Sequence, residues 1–192
     1  NYPPSANNAS KTALTWRKYL DEQYANGIWN TNACPIVIRY AEVLLTYAEA
    51  VNELSGPSAD VYDKLDLIRG RVGMPKVDRE KYASKETLRR LIRRERGVEL
   101  AGEGVRRADI LRWKDDNGKM VAETVLNGVL ERVVGTVNYA ETDPTKRAEI
   151  DTNAPATDKK IEDRVFKVHN RYNPIPQGAI DNNPNLEQNP GY

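Results

Sequence analysis

The sequence has few of the residues on which common functional sites depend. Its 192 residues include one cysteine, Cys34, and one histidine, His169. A single cysteine excludes an internal disulfide and a multi-cysteine zinc site, and a single histidine excludes any metal site built on two histidines. The neighbours of Cys34 offer no cationic side chain that would activate its thiol, which indicates a structural cysteine. No metal, cofactor or catalytic residue is therefore predicted.

Aromatic residues and long apolar runs are also scarce. Aromatics make up 7% of the chain, with a single Phe, so the core must rely on Leu, Ile, Val and Ala at helical spacing. No stretch approaches the roughly 20 apolar residues of a membrane span, and the start NYPPSANNAS lacks the regions of a signal peptide. We expect a mainly α protein, and the polar, Pro-rich start is typical of a loop inside a longer chain.

Acidic and basic residues are present in nearly equal number. Lys and Arg number 29 against 28 Asp and Glu, and the formal net charge of +1 gives no global attraction for nucleic acid or anionic lipid. The runs RRLIRRERG and RRADILRWK are basic, but the first interleaves with Leu and Glu at helical spacing and lacks stacking aromatics. A nucleic-acid partner is therefore not predicted.

Two amphipathic helices are predicted over 36–54 and about 58–72. Gly56 and Pro57 end the first helix, Ser58 caps the second, and Gly73 with Pro75 ends it. Such a pair resembles one tetratricopeptide unit, which needs neighbours to bury both of its faces. The apolar stripe of the first helix consists of Tyr40, Leu44, Tyr47, Ala48, Val51 and Leu54, and that of the second of Val61, Leu65, Ile68 and Val72.

A third helix should begin after Ser84 and bury Leu88, Leu91, Ile92 and Val98. Glu95 falls on the same stripe, where a carboxylate is costly unless it is paired. A bend at Gly102 and Gly104 would let a helix over about 105–114 return arginines to Glu95 and Glu99, with Trp113 as a cover. The predicted structural ion-pair cluster consists of Glu95, Glu99, Arg106, Asp109 and Arg112.

The same acidic residues admit an enzymatic alternative. Glu95, Glu99, Glu103 and Asp109 could supply the two carboxylates of a glycosidase. The many arginines nearby would keep both carboxyl groups ionised and leave no proton donor near neutral pH. The structural interpretation is therefore favoured, and no enzyme activity is predicted.

Beyond residue 115 the pattern loosens. KMVAETVL is a possible short helix and DRVFKVHNRY a possible short strand, while the tail NPIPQGAIDNNPNLEQNPGY is too rich in Pro and Asn for a regular element and should run extended over a surface. The predicted organisation is a loop-rich entry over 1–35, a helix pair over 36–75, a helix, bend and helix over 84–114, and an irregular region over 115–192.

Four segments in this order resemble the C-terminal third of the RagB/SusD family of outer-membrane nutrient-binding lipoproteins. They are IRYAEVLLTYAEAVNEL, LDLIRGRVGMP, RRERGVELAGEGVRRADILRW and the tail ending NPNLEQNPGY, and the resemblance spans roughly 16–192. Gly102, Arg107 and Ala108 depart from the bulkier residues usual in the family, so packing around the bend should be looser. The resemblance implies a helical fold of tetratricopeptide-like pairs.

The resemblance also implies a function. Proteins of this family are lipidated at an N-terminal cysteine, lie on the cell surface at the outer membrane, and pass a glycan or peptide to a TonB-dependent transporter of SusC type. Cys34 has no apolar segment before it and is not expected to be the lipidated residue, so any membrane contact would come through a lipid outside this chain. A purely structural helical-repeat adaptor that docks another protein is the alternative.

One segment combines the residue types that sugars require. Aromatic faces stack on sugar rings while Asn, Asp or Arg bind hydroxyls, and YLDEQYANGIWNTN, residues 19–32, offers both. Tyr24, Trp29 and Asn30 are the candidate ligand-binding residues. Packing of the same side chains against the first helix explains them equally well.

Overall fold

The computed structural model describes residues 10–14, 16, 18–19, 34–143 and 146–192. The chain divides into two compact units. One contains residues 18–108, and the other contains residues 109–192 together with those before residue 18. The first is called the helical unit and the second the C-terminal unit.

Three helices form the helical unit: α1 (Tyr40–Ser55), α2 (Ala59–Arg71) and α3 (Lys85–Glu99). Ser58 caps α2 by accepting a hydrogen bond from the Val61 amide at 3.4 Å. Ser84 and Thr87 form a reciprocal capping box at the start of α3. Gly56 has φ of 78° at the turn between α1 and α2, where only glycine is unstrained. The predicted caps and boundaries of these helices are confirmed within a few residues.

The core of the helical unit lies where α1 packs against both α2 and α3. Leu45, Ala48, Leu88 and Ile92 have no exposed surface at all. Burying such side chains is the main stabilising contribution to folding. The core consists of Leu44, Leu45, Ala48, Val61, Tyr62, Leu65, Ile68, Val77, Leu88, Leu91, Ile92 and Leu100.

The predicted apolar stripe of α1 is partly wrong. Leu44 and Ala48 are buried as expected, but Tyr40, Tyr47 and Leu54 are exposed. Helix α1 contacts both α2 and α3, so its buried face is centred on Leu45. Tyr40, Tyr47 and Leu54 lie away from this face and are exposed to solvent. The predicted burial of Val72 and Val98 is wrong as well, since both are exposed at the ends of α2 and α3.

Helix α4 (Arg106–Arg112) carries the chain from the helical unit into the C-terminal unit. It follows the bend, where Gly102 and Gly104 have φ of 77° and 82°. A bend and a following helix are therefore present where they were predicted. In the C-terminal unit Ile110, Trp113 and Ala122 form a small core, to which α5 (Val121–Val125) contributes.

Two short antiparallel sheets follow. Strand β1 (Gly128–Glu131) pairs with β4 (Lys160–Arg164), and β2 (Gly135–Val137) pairs with β3 (Ala148–Ile150). A single turn of helix, α6 (Ala156–Lys159), precedes β4. The strand predicted over 163–172 is thus mostly wrong, because β4 ends at Arg164 and a 3₁₀ helix occupies Val168–Arg171.

The prediction that the tail contains no regular element is wrong for one segment. Helix α7 (Gln177–Asn182) begins directly after Pro176, because proline is well tolerated at a helix start. On either side of α7 the tail has no regular element and includes turns at residues 184–185 and 190–191. The fold as a whole is mainly α with few short strands, which confirms the predicted fold class.

Side chains of the last five residues hold the tail against residues 169–175. The Gln188 side-chain amide accepts a hydrogen bond from the Ile175 N–H at 2.8 Å and donates one to the Ile175 carbonyl at 2.9 Å. A neighbouring strand would satisfy the same two backbone groups. The Tyr192 hydroxyl donates to the Tyr172 carbonyl at 2.9 Å, and its ring meets His169 edge-on at 5.0 Å. Pro174 and Pro176 cannot donate backbone hydrogen bonds, so side chains take the place of a strand ladder. We call this arrangement the tail clasp.

Candidate functional site

Arg39, the residue before α1, is the centre of an ionic cluster in the helical unit. Its Nε donates to both carboxylate oxygens of Glu103, at 2.9 and 2.7 Å. Its Nη1 donates to the Glu99 carboxylate and its Nη2 to the Glu99 carbonyl, both at 2.5 Å. The Lys18 ammonium also pairs with Glu103 and donates to the carbonyls of Glu99 and Ala101. One guanidinium thus joins the start of α1 to the end of α3 and the bend.

The end of α2 contributes two further cations. Arg71 Nη2 donates to Glu99 at 2.8 and 3.1 Å, and Arg69 Nη1 lies 2.5 Å from Glu95 Oε1. The Glu95 side chain is 13% exposed and the Arg69 side chain 11% exposed. Glu95 is therefore nearly buried and paired with a nearly buried arginine.

The residues of the predicted ion-pair cluster lie in three places. Glu95 pairs with Arg69, and Glu99 pairs with Arg39 and Arg71. All three arginines precede α3 in the chain. Arg106 lies against α3, since a Cβ at Gly97 would come within 3.3 Å of its Nη1. In the C-terminal unit, Arg112 Nη2 donates to Asp109 at 2.9 Å on the same helix, and Trp113 is buried in the small core.

The electrostatics of the cluster favour the charged forms of Glu103 and Arg39. Burial raises the pKa of Glu103, but the hydrogen bonds from Arg39 and Lys18 outweigh burial and hold that pKa below its ordinary value of 4.5. The hydrogen bond to Glu103, opposed by burial and helped by Glu99, raises the pKa of the Arg39 guanidinium above its usual value. A carboxylate so held is a poor proton donor near neutral pH. These ion pairs are suited to holding together the start of α1, the end of α2 and the end of α3.

Sequence reasoning missed Lys18, Arg39, Arg69, Arg71 and Glu103 as members of the cluster. Arg39 precedes the first periodic residue of α1, and Arg69 and Arg71 close α2. Their partners are between 26 and 85 residues away in the chain. Helical spacing reports neighbours three and four residues apart, so it carries no signal for such pairs.

An apolar cleft opens beside the cluster, between the start of α1 and the end of α2. Its volume is about 380 Å³. Tyr40, Leu44, Leu67 and Ile68 line it, and Arg39 and Arg71 stand among its lining residues. The cleft is therefore mostly apolar, and two arginines are among its lining residues.

Within the part of the chain that the structure describes, no group of three or more His, Cys, Asp or Glu side chains is placed to hold a metal ion. Nor does any described helix have the length and apolar character needed to cross a membrane. The candidate ligand-binding residues Tyr24, Trp29 and Asn30 lie outside the described residues.

Comparison with known proteins defines the class. The chain matches the SusD family over residues 1–192 and belongs to that family.

Individual relatives match over part of their length. SusD-like protein P25 of Formosa agariphila is 40% identical over 79 residues, which are 41% of this chain and 15% of that protein. SusD-like protein P2 of the same organism is 38% identical over 93 residues, or 46% of this chain and 18% of that protein. The crystal structure of a SusD-like protein from Bacteroides fragilis NCTC 9343 has a TM-score of 0.62 and 28% identity, covering 82% of this chain and 26% of that one. The chain spans about a quarter or less of each relative.

Proposed function

We propose that this chain is the C-terminal part of a SusD-like surface protein that binds a glycan or another nutrient oligomer and passes it to a SusC-type TonB-dependent transporter. The match to the SusD family over all 192 residues carries the proposal. Similarity to the B. fragilis structure supports it, because the described helices follow the same fold. The protein would be held at the cell surface by an N-terminal lipid outside this chain.

The ionic cluster is proposed to be structural and the protein to have no catalytic role. Support comes from the arginine pairs of Glu95 and Glu99 and from the lowered pKa of Glu103. A glycan that the full-length protein binds should therefore gain no new reducing ends during prolonged incubation. Steady release of reducing ends would contradict this part of the proposal.

The binding itself is tested on the full-length protein with a glycan array, followed by calorimetric titration of the oligomers that bind. Saturable binding of at least one oligomer is expected, together with co-purification of a TonB-dependent transporter from outer membranes. Co-purification of another protein without binding of any oligomer would instead support the helical-repeat adaptor.

Tyr24, Trp29 and Asn30 are proposed as ligand contacts within this chain. Trp29→Ala should weaken oligomer binding about fivefold, because one stacked aromatic contributes on the order of 1 kcal/mol. Trp16→Ala is the matched control, since Trp16 is 66% exposed and lies outside the candidate segment. If the two variants bound the oligomer with equal affinity, the ligand contacts would have to lie elsewhere in the protein.

A further inference from the structure

Three asparagines of the sequence are followed directly by glycine: Asn26, Asn117 and Asn127. The side-chain carbonyl carbon of such an asparagine is open to attack by the backbone nitrogen of the next residue. Glycine hinders this attack least because it has no side chain, and asparagine is for this reason among the thermolabile residues of proteins. Asn26 lies outside the described residues, which leaves Asn117 and Asn127 as the pair whose surroundings can be compared.

The two asparagines share the properties that a sequence or an exposed area can report. Both are exposed, and both lie in the C-terminal unit. The glycines that follow them, Gly118 and Gly128, both have positive φ, at 77° and 110°. Neither exposure nor the next residue therefore distinguishes the two sites.

The side chain of Asn127 is held by three hydrogen bonds. Its Nδ2 donates to the Glu123 carbonyl at 2.6 Å and to the Phe166 carbonyl at 3.1 Å. Its Oδ1 accepts from the Phe166 N–H at 2.6 Å. Attack on the amide makes its planar carbon tetrahedral and releases Nδ2 as ammonia, so the reaction must disrupt these contacts. The fold therefore opposes attack at Asn127.

Asn117 lies at the tip of a hairpin turn, between Lys114 and Met120, which form an antiparallel bridge. Its backbone N–H donates to Asp115 Oδ1 at 2.9 Å, but its side-chain amide makes no hydrogen bond within the described residues. The attacking nitrogen, that of Gly118, donates to the Asp115 carbonyl at 3.0 Å. This bond belongs to an exposed turn, and such turns open locally at low cost. The side chain that is attacked is not held at all by comparable contacts.

We propose that Asn117 is a site of spontaneous deamidation and that Asn127 is protected from the same reaction by its three hydrogen bonds. The Gly118 nitrogen loses its proton and bonds to Cγ of Asn117, while the Cγ–Nδ2 bond breaks and ammonia leaves, which closes a succinimide ring. Water is the only co-reactant: it opens the ring at either carbonyl and gives aspartate or isoaspartate. The inference goes beyond the proposed function and does not depend on it.

The modification changes the hairpin that carries it. Either product places a carboxylate beside Asp115 and Asp116, where like charges repel. Isoaspartate also adds a methylene group to the backbone of a turn that is closed by the hydrogen bond from the Asp115 N–H to the Lys119 carbonyl at 2.8 Å. The hairpin follows Trp113, which is buried in the small core. Modification should therefore loosen the hairpin at the edge of that core.

The first experiment compares the two sites in the full-length protein during incubation in mildly alkaline buffer. Trypsin cleaves after Lys114, Lys119 and Arg132 and so places the two asparagines in separate peptides. Mass spectrometry then follows the small mass increase that replacement of the amide by a carboxyl group causes. In the folded protein Asn117 should react about tenfold faster than Asn127, and in urea, where these contacts are lost, the two rates should become similar.

Three results of that experiment would overturn the proposal. Asn117 could fail to deamidate in the folded protein, or Asn127 could react there as fast as Asn117. The third result is a rate difference that persists unchanged in urea, since it would then come from the local sequence and not from the hydrogen bonds of Asn127.

The second experiment assigns the structural effect to Asn117. Hydrogen exchange of residues 113–121 is measured before and after the incubation, in the unsubstituted protein and in Asn117→Gln. Glutamine is the matched control because it keeps the amide but must close a larger ring, which is much slower. Exchange should accelerate on incubation in the unsubstituted protein only. An equal acceleration in both proteins would overturn the assignment to Asn117, and unchanged exchange in the modified protein would overturn the effect on the hairpin.

Discussion

The helical unit and the C-terminal unit are stabilised in different ways. In the described residues, the helical unit has a core of twelve buried apolar residues, whereas the core of the C-terminal unit has three. The C-terminal unit relies on two short sheets and on side chains that bond backbone groups, as Gln188 does in the tail clasp. Apolar burial is nondirectional, while such hydrogen bonds depend on single residues in fixed places. The two units should therefore respond differently to substitution.

The largest effect is expected from a cavity in the helical unit. Leu45 has no exposed surface, so Leu45→Ala should lower the free energy of unfolding by about 2–5 kcal/mol. Leu54→Ala, in the same helix but 85% exposed, should change it by less than about 0.5 kcal/mol. Denaturant unfolding followed by circular dichroism measures both. Similar losses in the two variants would show that the core does not dominate this unit.

A smaller effect is expected at the pair of Arg69 and Glu95. Glu95→Gln leaves a guanidinium that is 11% exposed without its carboxylate, which should cost about 2 kcal/mol. The double variant Glu95→Leu with Arg69→Met should lose less, because no buried charge is left alone. Exposed Glu86→Gln on the same helix is the control. A change below about 0.5 kcal/mol for Glu95→Gln would mean that Glu95 behaves as a surface residue.

The contribution of Glu103 should depend on pH. Its pKa in the folded protein is below 4.5, so its ionisation stabilises the fold above about pH 4.5, and this stabilisation is lost as the pH falls through the folded-state pKa. Glu103→Gln should therefore destabilise the protein by about 1.5 kcal/mol at pH 7 and by progressively less in acid. Unfolding curves from pH 7 to pH 3 test this. A difference from the unsubstituted protein that is constant with pH would contradict it.

The smallest effect on overall stability is expected in the tail clasp. Gly191 has φ of 96°, and a Cβ there would lie 2.7 Å from His169 Cβ. Gly191→Ala should release the clasp at a cost of about 1 kcal/mol and leave the helical unit unchanged. Hydrogen exchange of the last residues should accelerate while exchange in α1 does not. Gly178→Ala in α7 is the control, because no atom beyond its chain neighbours and its own helix backbone lies within 4 Å of the added methyl group.

The same comparison explains what the sequence could predict. Helices α1 to α3 and their caps were predictable because apolar spacing, Ser58, Ser84 and Gly56 act within a few residues of the chain. The outward turn of Tyr40 and the pairing of Glu99 with Arg39 were not, since both depend on which helices pack together. Helix α7 was missed because it is only six residues long and contains too few apolar residues to show helical periodicity.

Arg39 has a mechanical consequence beyond its place in the ionic cluster. It lies directly before α1, and its guanidinium is bonded to Glu99 and Glu103 by four hydrogen bonds. We expect tension applied to the chain ahead of residue 39 to divide at this residue. Part of the load falls on the backbone hydrogen bonds that the Arg39 carbonyl accepts from Glu42 and Val43, and part passes through the guanidinium to the end of α3.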